Sequence, residues 1–441
     1  MKRSTASASP PPTFSPLHVR CIVGLLGLTS VLCMADRMLM SILLEDIQAE
    51  IGLTDRDFGL LLGFGFAGTH LLAAFPIARW ADRWSRRNII ALGLAVWSAM
   101  TLLTGAAQSF GQLLVCRLGL GLGEAANTPA GNSLISDLVA PARRARALAV
   151  MTIGGIAGLG LGMLMGGWLN LLVGWRATFM LFGLPGLGLA LLARTFLVDP
   201  PRGHSDGLTG AATRHSMGEV FRYMSRRASY RWLVAAACIA GITSFGNSFW
   251  IPTFLRRAYG MDSASAGTGY FLASAVPTAI GAYVGGWAGD RLAQRTARWY
   301  LWLPAISNLA VPPLMLAFLW VPADAQVLGR PVGFALLFVA SGVGVLWSAP
   351  TMALSQSLVR PSMRAMSAAT WNGLFTFVGM GLGPWLIGDL SVRLEPTRGA
   401  ESLRLALTAM TLLPPAASLC LLLAARSVEA DLRSAGEPHV R

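Results

Sequence analysis

Apolar runs of about 20 residues recur along this chain from Cys21 to Ala425, and each is long enough to cross a hydrocarbon layer of about 30 Å as a helix. A water-soluble core has no room for so many. Inside a bilayer the backbone must satisfy its own hydrogen bonds, so runs of this length are predicted as spanning helices. Twelve are predicted, near 20–44, 58–80, 88–108, 112–138, 148–172, 178–197, 232–254, 264–288, 299–320, 332–357, 366–390 and 402–425. The composition agrees: the 441 residues are 54% hydrophobic and 13% charged, with a mean hydropathy of +0.57. A soluble domain carries about twice that share of charge. The expectation is an all-α membrane protein.

The net charge of +14 invites a nucleic-acid reading, but its placement does not. Basic residues cluster in 79–87, 143–146, 194–231 and 291–298, while one short loop collects Glu45, Asp46, Glu50, Asp55 and Asp57. Lys and Arg accumulate in cytoplasmic loops. The pattern therefore places both termini in the cytoplasm and the acidic loop outside, as in a bacterial inner-membrane protein, with no nucleic-acid partner. The Ser/Pro/Ala-rich start lacks the small-residue cleavage site of a signal peptide and is expected to be a cytoplasmic tail. The five cysteines lie within apolar spans, favouring small core residues over a disulfide or zinc framework. No CxxC, HExxH or phosphate-binding GxxxxGK[ST] is present. No catalytic set, metal or cofactor is expected, and the chain does not read as an enzyme.

A basic, Pro/Gly-containing segment, 198–231, divides the spans six and six. The expected organisation is a tail (1–19), a six-helix bundle (20–197), the linker, a second bundle (232–425) and a cytoplasmic tail (426–441). The halves repeat. Asp82, Arg83, Ser85, Arg86 and Arg87 follow the second span, and Asp290, Arg291 and Arg295 follow the eighth. Gly158, Gly160, Gly162 and Gly167 return at one constant spacing as Gly379, Gly381, Gly383 and Gly388. Parallel repeats enclosing a midplane site are the layout of alternating-access carriers. Glycines at every fourth position of the fifth span put small residues on one face and let a neighbouring backbone approach.

Four charges sit deep in apolar spans: Asp36 and Arg37 in the first, Arg117 and Glu124 in the fourth. A charge at the bilayer centre costs at least about 2.5–3.5 kcal/mol, so each needs a partner or a wet cavity. Arg117 and Glu124 fall about 20° short of two full turns and share a face about 10 Å long. Counted from the outer end, Arg117 lies about 7 Å deep, Asp36 about 12 Å and Glu124 about 18 Å at the helical rise. Two readings follow. The four charges form a closed brace, or the acids exchange protons while the arginines hold an anionic group. The repeat favours the second, because Phe338 and Val345 stand where Arg117 and Glu124 stand in the first half. His70 is a third candidate titratable group, against the alternative of a packing histidine. Across the cavity, Asn247, Phe249, Trp250, Trp347, Trp371 and Asn372 offer rings and amides suited to an amphipathic ligand.

The loop at 82–87 resembles the signature of the major facilitator superfamily, with Ala78 and Ser85 standing where glycines are usual. The resemblance implies the major facilitator fold, twelve helices in two pseudo-symmetric bundles. It also implies a cytoplasmic gate at Asp82, Arg83, Arg86, Arg87, Asp290 and Arg291. More specific elements are Asp36-Arg37 with Ser41, Arg117-x-x-x-Gly-x-Gly-Glu124-Ala, Gly174-Trp-Arg176, Asp199-Pro-Pro-Arg-Gly203 and Trp250-x-Pro252. Together these resemble the spinster-like branch of lysolipid and sphingolipid transporters. That resemblance implies proton coupling at Asp36 and Glu124 and substrate binding at Arg37 and Arg117. The expected partners are protons, the lipid bilayer and an amphipathic anion such as a lysolipid, carried by a monomer. The alternative cargo is a drug or an organic-acid metabolite.

Overall fold

The computed structural model describes residues 15–81, 84–200, 217–327, 330–360 and 363–436, and these are helical almost throughout. Span 1 is Pro16–Ile42, span 2 Asp55–Ala81, span 3 Arg86–Thr104, and span 4 Phe110–Glu124 continued by Asn127–Leu138. The helical run Pro141–Phe196 holds spans 5 and 6, divided at Gly174 with φ 79° and ψ 166°, a backbone region open essentially to glycine alone. Span 7 is Ala228–Tyr259, span 8 Ser263–Ala293 and span 9 Trp299–Trp320. Span 10 is Val332–Gly344 continued by Ser348–Ser357, and span 11 is Arg364–Arg398. Span 12 is Ser402–Thr411 continued by Pro414–Gly436. Two-residue strands, Gln326–Val327 and Arg330–Pro331, pair antiparallel between spans 9 and 10.

The repeat reaches into the helix breaks. Span 2 opens with the eight-residue segment Asp55–Leu62 and breaks at Gly63. Span 8 opens with the eight-residue segment Ser263–Tyr270 and passes into a π-helical turn, Phe271–Ala275. These segments begin at the spacing that separates Asp82 from Asp290. The second segments of spans 4 and 10, starting at Asn127 and Ser348, keep the spacing of the repeated glycines. Large apolar side chains such as Leu72, Val115, Leu172, Leu191 and Tyr283 are exposed on the outside, as a lipid-solvated surface requires.

The glycine stripe of span 5 performs close packing. A Cβ on Gly154, Gly158 or Gly162 would stand 2.2–2.5 Å from the backbone oxygens of Gly27, Val31 and Ala35 in span 1. Helix also extends beyond the expected limits at both ends. Span 1 starts at Pro16 behind a Ser15 cap on the His18 amide. The last helix continues to Gly436, because Asp431 accepts from the Ser229 amide (3.0 Å) and hydroxyl (2.5 Å) and so caps span 7. The linker contains a short helix, Met217–Ser225, that buries Val220 and Met224.

Candidate functional site

Successive residues on a helix point about 100° apart, so Asp36 and Arg37 face different neighbours. Arg37 turns to span 4, where its Nη2 lies 2.5 Å and its Nε 2.7 Å from Oε2 of Glu124. Its guanidinium carbon stands 4.5 Å from the centre of the Phe66 ring, which stacks on His70. Cys33, one turn before Arg37, lies within hydrogen-bond reach of Glu124. Asp36 turns to span 3 and accepts from the Trp97 indole at 3.2 Å, with Thr101 alongside. Arg117 is the principal positive neighbour of Asp36, though no ion pair within 4 Å joins them among the described residues. Its Nε and Nη2 have no hydrogen-bond partner, and its guanidinium stands 5.9 Å from the Phe179 ring. Asp36, Arg117 and Glu124 are 2%, 3% and 1% exposed.

The four charges thus divide into a bonded pair, Arg37–Glu124, and a looser pair, Asp36 and Arg117. His70 leaves Nδ1 unpartnered and reaches the Gly121 backbone. That places it in the packing between spans 2 and 4, one ring away from Arg37.

The second half holds a half-open cavity of about 200 Å³ lined wholly by its own spans. On span 7 the lining residues include Ser244, Asn247, Ser248 and Ile251, a stripe at helical spacing. Phe249 and Trp250 fall off that stripe. Trp250 is wholly buried and donates to the Pro384 carbonyl at 2.9 Å, and the Phe249 carbonyl accepts from the Ser41 hydroxyl of span 1. Their place is in the packing between spans, not on the cavity wall expected for them. Trp371 stacks on Phe375 and lies beside Trp347, both of which line the cavity, whereas Asn372 is exposed and outside it.

The halves are joined at the end that carries the acidic loop. Arg257 of span 7 donates to both Asp55 oxygens at 2.7 and 2.8 Å and to Glu45 at 2.7 Å. Arg256 reaches Asp46 at 2.6 Å, and Asn170 bridges Asp46 and Ser263. Ser391 donates to Asp55. Glycine closes the seal twice, in symmetry-related places. A Cβ on Gly167 would stand 2.2 Å from the Ser263 oxygen, and one on Gly388 would stand 2.3 Å from the Asp55 oxygen. Trp175 and Arg176, just past the Gly174 break, hold Glu50 at 2.6 and 2.9 Å. The Arg176 bond first, then that of Trp175, keeps the Glu50 carboxyl below the usual glutamate range. Spacing along the sequence does not join these residues; the signal it carries is five acids in one loop of a basic chain and the Arg256-Arg257 pair at the end of span 7.

The expected gate at the opposite end has a different look. Asp82 and Arg83 lie outside the described residues. Arg86 is buried within the first half, bonded to Asp137, to Ser133 at 3.3 Å and to Asp199 at 2.8 Å. Arg87 leaves Nε unpartnered. Asp290 accepts from Tyr300, and Arg291 lies over Trp287. None of these contacts crosses between the halves.

Comparison with known proteins identifies the family and the fold. The profile described as Major Facilitator Superfamily matches residues 25–384. An "MFS-type efflux pump" of Mycolicibacterium smegmatis is 31% identical over 89% of each chain. A "Probable L-galactonate transporter" of Escherichia coli is 25% identical over 58% of each. Among solved structures, a bacterial homologue of the human lysosomal transporter Spinster superposes with a TM-score of 0.86 in its inward-facing, unoccupied form. It is 26% identical, over 95% of this chain and 99% of that one. Its inward-facing, occupied form superposes with a TM-score of 0.83.

Proposed function

The chain belongs to the Major Facilitator Superfamily, and from that premise we propose that it is a proton-coupled, alternating-access carrier of an organic anion with an uncharged body. The observation that carries this reading is the unequal state of the two buried arginines. Arg37 is paired with Glu124, while Arg117 leaves two buried nitrogens without a partner. A buried cation without hydrogen bonds is costly, and an anionic group beside Arg117 relieves that cost. A proton on Glu124 removes the charge that holds Arg37 and frees a second cation for the same ligand. Proton and anion occupancy are then linked, and linkage of two bindings is reciprocal. Asp36, held by Trp97 beside Arg117, is the second proton-linked acid.

In this reading the acidic end is the outer end, and the seal of Arg256 and Arg257 against Glu45, Asp46 and Asp55 closes it. The loop at 82–87 closes the cytoplasmic end with Asp290 and Arg291 in the alternate state. Bundles 20–197 and 232–425 rock about the site in a monomer, with both termini in the cytoplasm of a bacterial inner membrane.

The leading cargo is a lysolipid- or sphingolipid-like anion, supported by the likeness to the Spinster homologue. The second reading, an organic-acid metabolite or a drug, is supported by the galactonate transporter and the efflux pump among the relatives. Reconstituted vesicles test the core of the proposal: an imposed pH gradient should drive uptake of an anion, with alkalinisation or acidification of the lumen in fixed proportion. Uptake indifferent to the gradient overturns proton coupling. Competition among lysolipids, sugar acids and cationic drugs then separates the cargo classes.

A further inference from the structure

The cavity of the second half is built differently from the charged wall of the first. None of its lining residues is acidic, basic or histidine. Hydroxyls and amides surround it instead. The Asn247 Oδ1 is buried with no partner, and Ser244 and Thr278 face the same space. Asn308 is tied through Nδ2 to the Pro304 carbonyl at 3.0 Å, and Ser341 donates to Ser274 at 3.1 Å. Tyr270, at the start of the π-helical turn, touches Ser274 and Ser248, and such turns gather at functional sites. The remaining and larger part of the wall is apolar: aliphatic side chains such as Ile251, Val311 and Met315, together with Trp347 and Phe375 edge to face at 5.5 Å.

The cavity and the charged wall lie at one level. The Ser41–Phe249 bond ties span 1 to span 7, with Arg37 one turn from Ser41 and Asn247 two residues from Phe249. At about 1.5 Å per residue, both are within about 6 Å of that tie along their helices. The volume of about 200 Å³ holds about seven water-sized groups at roughly 30 Å³ each.

We propose that this cavity receives an uncharged, oxygen-rich body of the cargo, a short carbon skeleton bearing several hydroxyls, in preference to a bare alkyl chain. The inference rests on the reading of the chain as an anion carrier and narrows the class of anion, toward the organic acids of the second cargo reading and away from the long-chain lipids of the first. An alkyl chain leaves the buried Asn247 Oδ1 without a partner and offers nothing to the Ser244 and Thr278 hydroxyls. A polyhydroxylated chain pairs with them and lays its C–H edges on Trp347 and Phe375. Sites that hydrogen-bond a substrate hydroxyl reject the analogue that lacks it far more strongly than apolar pockets distinguish one methylene from another.

Two probes of equal length and charge isolate this effect, gluconate and hexanoate, each with six carbons and one carboxylate. Binding to the purified full chain is measured by calorimetry. Gluconate is expected to bind about 100-fold more tightly than hexanoate. Asn247→Leu, and independently Ser244→Ala, should shrink that ratio about tenfold by weakening gluconate alone. Arg117→Gln should weaken both probes equally, because the carboxylate is common to them. Thermal unfolding of each variant verifies its fold, and two substitutions in separate turns guard against a local defect. Hexanoate binding as tightly as gluconate, or gluconate binding unchanged by both Asn247→Leu and Ser244→Ala, overturns the inference and leaves the anion reading standing. Failure of both carboxylates to bind, or their indifference to Arg117, overturns the anion reading and this inference with it.

Discussion

Spans 4 and 10 occupy matching places in the two halves and break at matching points, before Asn127 and before Ser348. At the break, span 4 ends on Glu124, paired to Arg37 and 1% exposed. Span 10 carries Val345 there, on the wall of an uncharged cavity. One turn of helix can therefore be interrupted at this depth with or without a buried acid. The fold needs the break, the repeated glycines and close helix contact, and it obtains these in both halves. Among the described residues, buried charge at this depth is an addition to the first half alone, so it answers to what the cavity must do.

The largest effect should come from making the first half as neutral as the second. Glu124→Gln keeps a hydrogen-bonding side chain on Arg37 but cannot titrate. Gradient-driven uptake in vesicles is expected to fall about 100-fold, the upper range of coupling between two ligands, while exchange of cargo without a gradient survives. Removing one member of a buried ion pair also destabilises by about 3–5 kcal/mol, so fold retention is verified by thermal unfolding. Full gradient-driven uptake by a folded Glu124→Gln variant removes this residue from coupling.

The seal at the acidic end contrasts a symmetric component with an asymmetric one. Gly167 and Gly388 are symmetry mates, each pressed on a backbone oxygen of the other half. Gly388→Val or Gly167→Val inserts atoms where none fit, an overpacking of about 1–3 kcal/mol. Each should shift the sealed state by about 10- to 100-fold, and the two should agree with each other. Reaction of a Ser263→Cys variant with an impermeant maleimide reads the shift, because Ser263 is 3% exposed when sealed. Arg257 belongs to the second half only, and its bonds to Asp55 and Glu45 are partly solvated. Arg257→Ala should raise the same rate about tenfold, the scale of one charged hydrogen bond. Unequal effects of the two glycines would show that one half carries the seal.

Much of this architecture was legible because length and hydropathy report directly on membrane crossing. The repeat predicted two bundles, and the cost of buried charge singled out Asp36, Arg37, Arg117 and Glu124. Helical phase was not legible. Asn247 meets the cavity and Trp250 does not, although residues three apart lie only about 60° apart around a helix; the cavity follows the polar positions Ser244, Asn247 and Ser248, and Trp250 falls just beyond its edge. Trp97 escaped notice because an indole in an apolar span gives no sign that its N–H has a carboxylate to meet. The acidic loop was read as a marker of orientation, although its acids also meet Arg256 and Arg257. The linking of distant loops depends on tertiary approach, which spacing along one chain does not encode.

The smallest effect is expected at Glu50, which ties the loop after span 1 to Trp175 and Arg176 and has no counterpart among the contacts across the seal. Its side chain is half exposed, so solvent screens the interaction. Glu50→Gln should lower the midpoint of thermal unfolding by about one degree at neutral pH. The sign of the pH dependence follows from the direction of the shift. The carboxyl is held below the usual glutamate range in the folded chain, by Arg176 and then by Trp175. Its stabilisation is therefore complete above the unfolded-state value and lost as pH falls through the lower folded-state value. The difference between wild type and Glu50→Gln should persist below the ordinary glutamate range and close only under more acid conditions. A difference that closes already at the ordinary glutamate value means that Arg176 and Trp175 do not hold the carboxylate in the folded protein.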